Sequence, residues 1–394
     1  MTVIRGLVAD RVRIPFRRPF PTATGMWLER DTWLIRVLDE NGRTGLGEAV
    51  LEPGSAEVAE TILAALIREA ADGAFAGALP TRSDLELHGG PGRALNAAIE
   101  SALLDLDLEQ AFAAPAVRPD GEGVGVNATV PSLGTKAAAD AARQSVEAGF
   151  LTLKVKAGAE RETEVLVERI RAIRTAIGPD VRLRLDVNGA WDLDTAEDRL
   201  LAVARFDIEY VEQPMAPHDV DGLAELRRRV RVPIAADEAA SSVQAVRALL
   251  LAEAVDVLVV KPARVGGPAA VAEIAEIAAE RGVPVVISTL FETGVGIAAA
   301  LSIAAALPDV PARTEDGAAE ASSDDPPDHG LATAGLLEHD LLVESLLVAD
   351  GRMHAPGGPG SGGLGVVLDV RAVDRFRVEA VGSVGTSGSV GPAG

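Results

Sequence analysis

From about Val124 the sequence alternates short apolar runs with alanine-rich stretches of helical periodicity, and this repeat constrains the fold more than any other feature. Such alternation is typical of βα units built around a parallel sheet. We interpret seven of the apolar runs as strands, at residues 124–130, 151–156, 181–187, 208–212, 232–236, 255–260 and 282–289. Their number favours a barrel, although a doubly wound sheet gives the same alternation.

The two ends of the repeat are less regular. An eighth strand is expected near residues 310–316 or near residues 328–333, and an acidic insertion at Glu315–Asp328 leaves both positions open. Before the repeat, Thr32–Leu38 and Gly45–Val50 are predicted to form a hairpin around an Asn-Gly turn. Helices are predicted at Ala56–Ala71 and Ala94–Ala113, where apolar residues recur every three or four positions.

Composition excludes several classes of function. The chain has 394 residues, more than one typical domain, and it contains no cysteine, which excludes disulfides, thiolate metal sites and cysteine nucleophiles. A formal net charge of −22 argues against nucleic acid as the main ligand, because phosphate binding needs clustered Lys and Arg. A cytoplasmic location is expected, because charges such as Arg5 and Asp10 interrupt the N-terminus and no later stretch resembles a membrane span.

Ionisable residues lie at or just past the C-terminal ends of five consecutive predicted strands. They are Lys154 and Lys156, Asp186 with Asn188, Glu212, Asp237 with Glu238, and Lys261. The successive intervals from Lys156 through the three acidic residues to Lys261 are 30, 26, 25 and 24 residues, each close to one βα unit. In a closed barrel, residues at the same end of successive strands surround one mouth, where barrel enzymes carry their chemistry.

These residue types suit the removal of a proton next to a carboxylate. Three carboxylates from adjacent strands provide the oxygen ligands that Mg²⁺ prefers. Lys154 and Lys156 are two residues apart on a strand, so their side chains share one face. Crowded cations lower one another's pKa, so a lysine here is expected to act as a general base. The metal and the lysine charge would then stabilise an enediolate.

Each of these charges, taken alone, has a structural explanation, such as the solvated face of an edge strand or a helix N-cap. Their regular spacing at the same end of consecutive strands favours a functional interpretation. The five histidines fall outside these strand ends and are interpreted as structural or surface residues, with His218 and His329 as secondary candidates. No Walker loop, Rossmann fingerprint or Gly-x-Ser-x-Gly motif occurs in the sequence.

Several segments together resemble one known family. They are LTLKVK (151–156), LRLDVNGAW (183–191), YVEQP (210–214), IAADEAA (234–240), VVKPARVGG (259–267) and STLFETGVGIAAAL (288–301). With residues 19–49 they resemble the enolase superfamily, in its muconate-lactonizing subgroup, over nearly the whole chain. Residues 291–294 and 329–342 are most similar to the o-succinylbenzoate synthases. The resemblance implies an α/β fold, a modified TIM barrel of the (β/α)7β type with an α+β capping domain.

The resemblance also implies how the chain is divided. Residues 1–123 would form the capping domain, residues 124–334 the barrel that carries the active site, and residues 335–381 a segment that returns to the capping domain. The Gly/Ser-rich residues 382–394 are expected to be a flexible tail.

The resemblance assigns roles to the residues at the strand ends. Asp186, Glu212 and Asp237 would bind Mg²⁺, for which Mn²⁺ could substitute. Lys156 would remove the α-proton, and Lys154 beside it would tune this base and the substrate carboxylate. Lys261, on the opposite face of the substrate, would stabilise the enolate or serve as a second base. Asn188 and Glu238 would lie just outside the metal ligands as their partners.

Substrate selection is expected to involve the capping domain. The loop Pro21–Trp27 would close over the mouth, with Thr24 and Trp27 binding the substrate together with Glu292 and Thr293 of the barrel. The expected partners are a small-molecule carboxylate substrate and further copies of the chain in a homo-oligomer, with no nucleic acid and no membrane.

Several functions remain open at this point. A carbon-oxygen lyase that forms o-succinylbenzoate by dehydration would use Lys156 as base and then as acid on one face. A racemase of N-acylamino acids or an epimerase of dipeptides would need Lys156 and Lys261 as a two-base pair. A muconate cycloisomerase-like enzyme and a non-catalytic binding barrel are further alternatives. The lack of a histidine base at the strand ends argues against the mandelate-racemase branch.

Overall fold

The computed structural model describes residues 4–22, 25–51, 55–71, 85, 88–106, 123–131, 134–308, 310, 327–354 and 363–384. Its strands are β1 (Ile4–Thr22), β2 (Gly25–Asp39), β3 (Thr44–Val50), β4 (Val124–Gly125), β5 (Ala128–Val130), β6 (Thr152–Lys156), β7 (Arg182–Asp186), β8 (Ile208–Glu212), β9 (Ile234–Ala236), β10 (Val257–Val260), β11 (Val285–Ile287), β12 (Val348–Ala349), β13 (Arg352–Met353) and β14 (Arg377–Val384). Its helices are α1 (Ala56–Ala71), α2 (Gly89–Asp105), α3 (Thr135–Glu147), α4 (Thr163–Ile177), α5 (Leu193–Val203), α6 (Val220–Arg229), α7 (Val243–Leu251), α8 (Pro262–Val265), α9 (Pro268–Ala279), α10 (Gly294–Ala306) and α11 (Val370–Phe376). None of these helices combines the length and apolar composition that crossing a bilayer requires.

An antiparallel sheet with the strand order β14-β1-β2-β3 forms a cap. Its β2–β3 pair is the predicted hairpin. At the turn, the Asp39 carboxylate accepts hydrogen bonds from the backbone N–H groups of Asn41 (2.9 Å) and Arg43 (2.8 Å). Gly42 takes a φ of 78°, which glycine adopts at no steric cost. Helices α1 and α2 supply the apolar partners for this sheet, with Trp33 fully buried among them.

Two predicted boundaries in the cap are wrong. Helix α2 begins at Gly89, five residues before the predicted start at Ala94, because Pro91 is tolerated in a first helical turn that has no apolar periodicity to reveal it. Residues 107–113 of that predicted helix lie outside the described residues. The strand β14 continues to Val384 and pairs with β1, so residues 382–384 belong to the sheet and not to the predicted flexible tail.

Seven parallel strands, β5 to β11, lie side by side in sequence order, as the repeat predicted. They fall within the seven apolar runs, and most are shorter than the run that predicted them. Apolar side chains on both faces are expected where parallel strands lie between an enclosed interior and surrounding helices. Tyr210 and Val259 belong to a small buried cluster whose positions alternate with those facing the helices.

The two edges of this sheet are joined by His329 and Gly330. The first bridges to Val126 before β5, and the second bridges to Ser288 after β11, both in parallel orientation. The His329 imidazole also accepts a hydrogen bond at Nδ1 from the Ile287 backbone N–H at 2.9 Å. This bridge lies in the second of the two intervals predicted for the eighth strand and completes the (β/α)7β barrel.

The Glu48 carboxylate on β3 joins the cap to the barrel. It accepts hydrogen bonds from the Thr293 backbone N–H (3.0 Å), the Thr293 hydroxyl (2.7 Å) and the Gly296 backbone N–H (3.0 Å). These groups belong to the first turn of α10, whose N–H groups have no partner within the helix. A carboxylate there is also favoured by the helix dipole. The cap sheet is therefore attached directly to the barrel.

Replacement of Glu48 with alanine is expected to destabilise the protein. The substitution leaves buried donors of Thr293 and Gly296 without an acceptor, at a cost of roughly 2–4 kcal/mol in the free energy of unfolding. Urea denaturation of Glu48→Ala would measure the loss. The exposed Glu57 of α1 provides the control, because Glu57→Ala removes a carboxylate without a buried partner. Equal stability of the two variants would contradict the assigned contact.

Candidate active site

The two lysines of β6 lie among the predicted carboxylates. Lys154 Nζ is 3.1 Å from Asp186 Oδ2 and 3.0 Å from Glu212 Oε1. Lys156 Nζ is 2.6 Å from the same Asp186 oxygen and donates to Asn188 Oδ1 at 2.9 Å. The parallel register aligns Lys156 with Asp186 and Asp186 with Glu212, so the sheet itself brings the three strand ends together.

The other side of the mouth is formed by the ends of β9 and β10. Lys261 Nζ donates to Asp237 Oδ2, and Arg264 Nη1 donates to Asp237 Oδ1 at 2.7 Å. The Gln213 side chain accepts from the Asp237 backbone N–H at 3.1 Å and so orients the segment that carries this carboxylate. Sequence reasoning missed Gln213 and Arg264, although both occur in the quoted motifs, one directly after Glu212 and the other one helical turn after Lys261.

Strand order places the lysines opposite one another. The sheet runs β6-β7-β8-β9-β10, and closure by His329 and Gly330 makes eight positions around the ring. The strands of Lys156 and Lys261 are therefore half a turn of the barrel apart. The carboxylates of Asp186, Glu212 and Asp237 occupy the strand ends between them. We call these carboxylates, together with Lys154, Lys156 and Lys261, the ring. A molecule bound over this row of carboxylates would have one lysine on each side.

The predicted partners Asn188 and Glu238 also meet here. Asn188 accepts from Lys156 and donates through Nδ2 to Glu238 Oε1 at 3.1 Å. Its φ of 50° lies in the left-handed region that asparagine tolerates better than most residues. Asn188 thus links Lys156 to Glu238, which follows Asp237 in the sequence.

The pKa of Lys154 is set mainly by the carboxylates around it. Burial alone would lower the pKa of Lys154, but the carboxylates of Glu212, Asp186 and Asp237 outweigh it and raise this pKa well above the usual lysine value. Carboxylates surround Lys154 more closely than cations do, and they favour its charged form. Lys154 remains charged, which leaves Lys156 as the lysine of β6 better suited to act as a base.

The pKa values of the three carboxylates shift in opposite directions, although all three groups are buried among the same charges. Against the effect of burial, Lys154 and Lys156 lower the pKa of Asp186 to about 2. Lys261 and Arg264 likewise hold the pKa of Asp237 far below its usual range, although burial opposes them. Burial and the neighbouring Asp186 charge raise the pKa of Glu212. Asp186 and Asp237 are therefore held ionised in a buried setting, whereas the surroundings of Glu212 favour its protonated form.

The donor set of the ring fits a divalent cation. All three predicted ligands supply carboxylate oxygens, which suit Mg²⁺. The buried Asp186 Oδ1 and Glu238 Oε2 accept no hydrogen bond from the described residues, so oxygen lone pairs remain for a further partner. Among those residues no three carboxylates or imidazoles converge as a finished cage, since lysine ammonium groups stand between the carboxylates. Binding of a cation would require these ammonium groups to move aside.

The distribution of lysine in the chain is a signal that the strand-end pattern did not use. Only four of the 37 basic residues are lysines, namely Lys136, Lys154, Lys156 and Lys261. Three of these four lysines lie in the ring, whereas nearly all basic residues elsewhere in the chain are arginines. Arginine stays protonated in proteins, and lysine is the basic side chain that releases a proton when its surroundings change. Three of the four lysines of the chain therefore lie where a basic side chain able to release a proton would be useful.

Aromatic side chains of the cap cover one side of the mouth. Phe20 and Trp27 of the first hairpin lie with their ring centroids 4.7 and 6.0 Å from that of Phe291, which follows β11. Phe16 completes the cluster at 5.8 Å from Phe291. Phe291 has a φ of 66°, an uncommon conformation for a bulky residue. Thr24, predicted to bind substrate with Trp27, lies outside the described residues.

The other predicted substrate contacts, Glu292 and Thr293, are almost completely buried. The Thr293 hydroxyl is engaged by Glu48, and the Glu292 carboxylate accepts from the Leu290 backbone N–H. Thr293 therefore contributes to the junction of cap and barrel, whereas the described hydrogen bond of Glu292 lies within the barrel. Their predicted contact with substrate stays a prediction.

A cavity of about 420 Å³ lies next to the ring, between cap and barrel. Arg93 and Ser55 line it from the cap, and Glu238 and Arg264 line it from the barrel. Its volume lies in the range of roughly 300–1,000 Å³ typical of small-molecule sites. Glu238 connects this cavity to the carboxylate ring through Asn188.

Residues 137–372 match the protein-family model described as Enolase C-terminal domain-like. This match covers more than half of the chain. The chain therefore belongs to the enolase superfamily, as the motifs predicted. The barrel, the opposed lysines and the capping sheet are consistent with that membership.

Individual relatives differ in the activity that their names state. The chain is 44% identical to the o-succinylbenzoate synthase of Thermobifida fusca over 234 residues, which cover 59% of this chain and 67% of that protein. It is 30% identical to the N-succinylamino acid racemase of an Amycolatopsis species over 377 residues, 91% of this chain and 94% of that protein.

The crystal structure of a dipeptide epimerase from Cytophaga hutchinsonii, complexed with Mg and the dipeptide D-Ala-L-Val, has a similar fold. Its TM-score is 0.77 at 22% identity, and the match covers 96% of this chain and 99% of that chain. At this identity the likeness supports the fold alone.

Stability is expected to fall with rising pH because of Glu292. Burial and the neighbouring Glu48 raise the pKa of Glu292 to about 7. Between roughly pH 4.3, where an exposed glutamate titrates, and pH 7 the folded state binds this proton and the unfolded state does not. This contribution to stability is present at low pH, is lost as the pH rises through that window, and levels off above it.

The variant Glu292→Gln removes this ionisation. Relative to the unchanged protein, its free energy of unfolding should rise by about 3 kcal/mol between pH 5 and pH 8. Urea denaturation at both pH values measures the difference, with the exposed Glu57→Gln as the control. A difference between Glu292→Gln and the unchanged protein that does not vary with pH would contradict the expectation.

Proposed function

We propose that this chain is a Mg²⁺-dependent enzyme that removes the α-proton of a carboxylate substrate and forms o-succinylbenzoate by dehydration. Its membership of the enolase superfamily and its relatives support the coarser statement that it is a lyase or a racemase. The observation that carries the proposal is the ring itself. Lys156 lies at one end of a row of three carboxylates and Lys261 at the other.

The cation would be held by Asp186, Glu212 and Asp237. When bound, it supplies positive charge next to the oxygens of the substrate carboxylate and so stabilises the enediolate. Lys156 takes the α-proton from one face of the substrate. Lys154, two residues before Lys156 on β6, would contribute positive charge beside the same carboxylate.

In the dehydration, the substrate is a cyclohexadiene carboxylate that carries a succinyl group and has a hydroxyl group on the carbon next to the α-carbon. Lys156 removes the α-proton, and the electrons of that C–H bond pass into the enediolate. Their return forms the new C=C bond and expels the hydroxyl group, to which the protonated Lys156 returns its proton as water leaves. The products are o-succinylbenzoate and water, and Lys261 stabilises the negative charge from the opposite face.

Racemisation of N-succinylamino acids is the second candidate. The position of Lys261 half a turn of the barrel from Lys156 favours it, because each enantiomer presents its α-proton to a different lysine. The Amycolatopsis relative, similar over nearly the whole chain, carries this activity in its name. Identity to the Thermobifida synthase is higher over the aligned part, and for this reason we place dehydration first.

A paired assay tests the proposal. The purified protein is given Mg²⁺ and the cyclohexadiene substrate, and o-succinylbenzoate is measured by absorbance, while loss of optical rotation is followed separately with N-succinylamino acids and dipeptides. We expect formation of o-succinylbenzoate that stops on addition of EDTA and returns with Mg²⁺. Racemisation without dehydration would support the second candidate. Cyclisation of muconate alone, or no reaction and no Mg²⁺ binding, would contradict both.

Single-lysine variants separate the roles of the two faces. Lys156→Ala should reduce dehydration by about 10³-fold or more, because general base catalysis contributes roughly 10²–10⁴-fold. Lys261→Ala should abolish racemisation and leave measurable dehydration, since only racemisation needs a second base. The control is Lys136→Ala on α3, which removes a solvent-exposed lysine. Full activity of Lys156→Ala would contradict the assigned base.

A further inference from the structure

The segment that follows Lys261 has little regular structure to hold it. Helix α8 is a single turn, and it ends at Gly266 and Gly267, whose φ angles are 111° and 109°. The chain then enters α9 at Pro268. Lys261 lies at the start of this segment, and its carbonyl accepts from the Arg264 N–H at 2.9 Å. A shift of the segment would therefore disturb the backbone contacts of Lys261.

One face of the cap helix α2 contacts this segment at three successive points. Arg93 Nε donates to the Arg264 carbonyl at 2.8 Å, and Asn96 Nδ2 donates to the Gly266 carbonyl at 2.6 Å. Glu100 Oε2 accepts from the Ala269 N–H at 3.0 Å, in the first turn of α9. The spacings of three and four residues put these side chains on one side of the helix.

The contact is close and buried. Asn96 and Glu100 are 2% and 7% exposed and hydrogen-bond to each other at 2.8 Å. A Cβ atom on Gly267 would lie 2.9 Å from the Ala97 Cα, so the segment packs directly on the backbone of α2. This arrangement leaves little freedom for the segment to move relative to the helix.

Lys156 is held differently, by the barrel. The Lys156 carbonyl accepts from Arg169 Nη2 of α4 at 2.8 Å, and the next residue, Ala157, donates to the Asp186 carbonyl at 2.7 Å. Both lysines thus follow barrel strands, and Lys261 is in addition connected through its segment to the cap helix α2. A substitution in α2 that weakens its contacts with the segment should displace Lys261 and leave Lys156 in place.

We propose that Asn96 and Glu100 are positioning residues that fix Lys261 at the mouth of the barrel. The inference rests on the proposed function, since it concerns the lysine on the far face of the substrate. Helix α2 also lines the cavity next to the ring, through Arg93 and Ala94. The same helix therefore borders the substrate space and sets the position of the second lysine.

The test uses Asn96→Asp, which keeps the shape of the side chain and replaces the donor to Gly266 with an oxygen. Glu100→Gln is the second, milder variant. Ser101→Ala is the matched control, because the Ser101 hydroxyl donates to the Ala97 carbonyl within α2 and does not contact the segment. Circular dichroism verifies that each variant is folded.

Exchange of the α-proton in D₂O is measured by proton NMR for each enantiomer of an N-succinylamino acid. Lys156→Ala and Lys261→Ala identify which lysine serves which enantiomer. Asn96→Asp should slow exchange on the Lys261 face by about tenfold or more, since a small misplacement can cost up to 10²-fold. Exchange on the Lys156 face should stay within about twofold of the unchanged protein, and Glu100→Gln should show the same asymmetry.

If the protein exchanges the α-proton of only one enantiomer, the two faces cannot be compared in this way, and a second measurement is used. The effect of Asn96→Asp on kcat for dehydration is compared in the unchanged protein and in Lys261→Ala. If Asn96 acts through Lys261, the substitution should have an effect in the first background and almost none in the second.

Equal losses on both faces, equal effects in both backgrounds, or no loss in either variant would overturn this inference while leaving the proposed function in place. An unchanged protein that neither exchanges α-protons nor dehydrates its substrate would overturn the proposed function and this inference with it.

Discussion

The placement of buried lysine ammonium groups between buried carboxylates is the interaction on which the site depends. Burying an isolated charge is costly, and Lys154 avoids that cost only because Asp186 and Glu212 lie about 3 Å away. The parallel register supplies this proximity, since it aligns the ends of β6, β7 and β8. Barrel and ring therefore support each other. The charges need the barrel to bring them together, and the barrel tolerates charge at its mouth because the signs alternate.

Buried carboxylates also attach the cap to the barrel, here through hydrogen bonds from backbone N–H groups. Glu48 accepts from the first turn of α10, and Glu100 accepts from the first turn of α9. Both carboxylates come from the cap, and both bind backbone N–H groups at helix N-termini, where the helix dipole favours negative charge. These two contacts therefore lie on the side of β10 and β11, the side that carries Lys261.

Much of the barrel could be predicted because its signals are local. Each strand is a short apolar run, and each charge lies within a residue or two of a strand end, so spacing alone grouped Lys156 with Asp186 and Asn188. The eighth strand gave no such signal, because His329 and Gly330 close the ring with one bridge each. Contacts such as Glu48 with Thr293 join residues 245 positions apart, and no local pattern encodes them. The pKa of Lys154 likewise depends on carboxylates from three other strands, which no local pattern brings together.

The choice between dehydration and racemisation does not lie in the ring. A ring with Lys156 and Lys261 on opposite faces contains every group that either reaction needs, so its residues alone are compatible with both. What differs is the molecule held over the carboxylates, and that is decided by the space above them. This space is bounded by the aromatic cluster around Phe291 and by the cavity beside Arg93, both shared between cap and barrel. Under the proposed function, reaction specificity would therefore be set at the junction between cap and barrel.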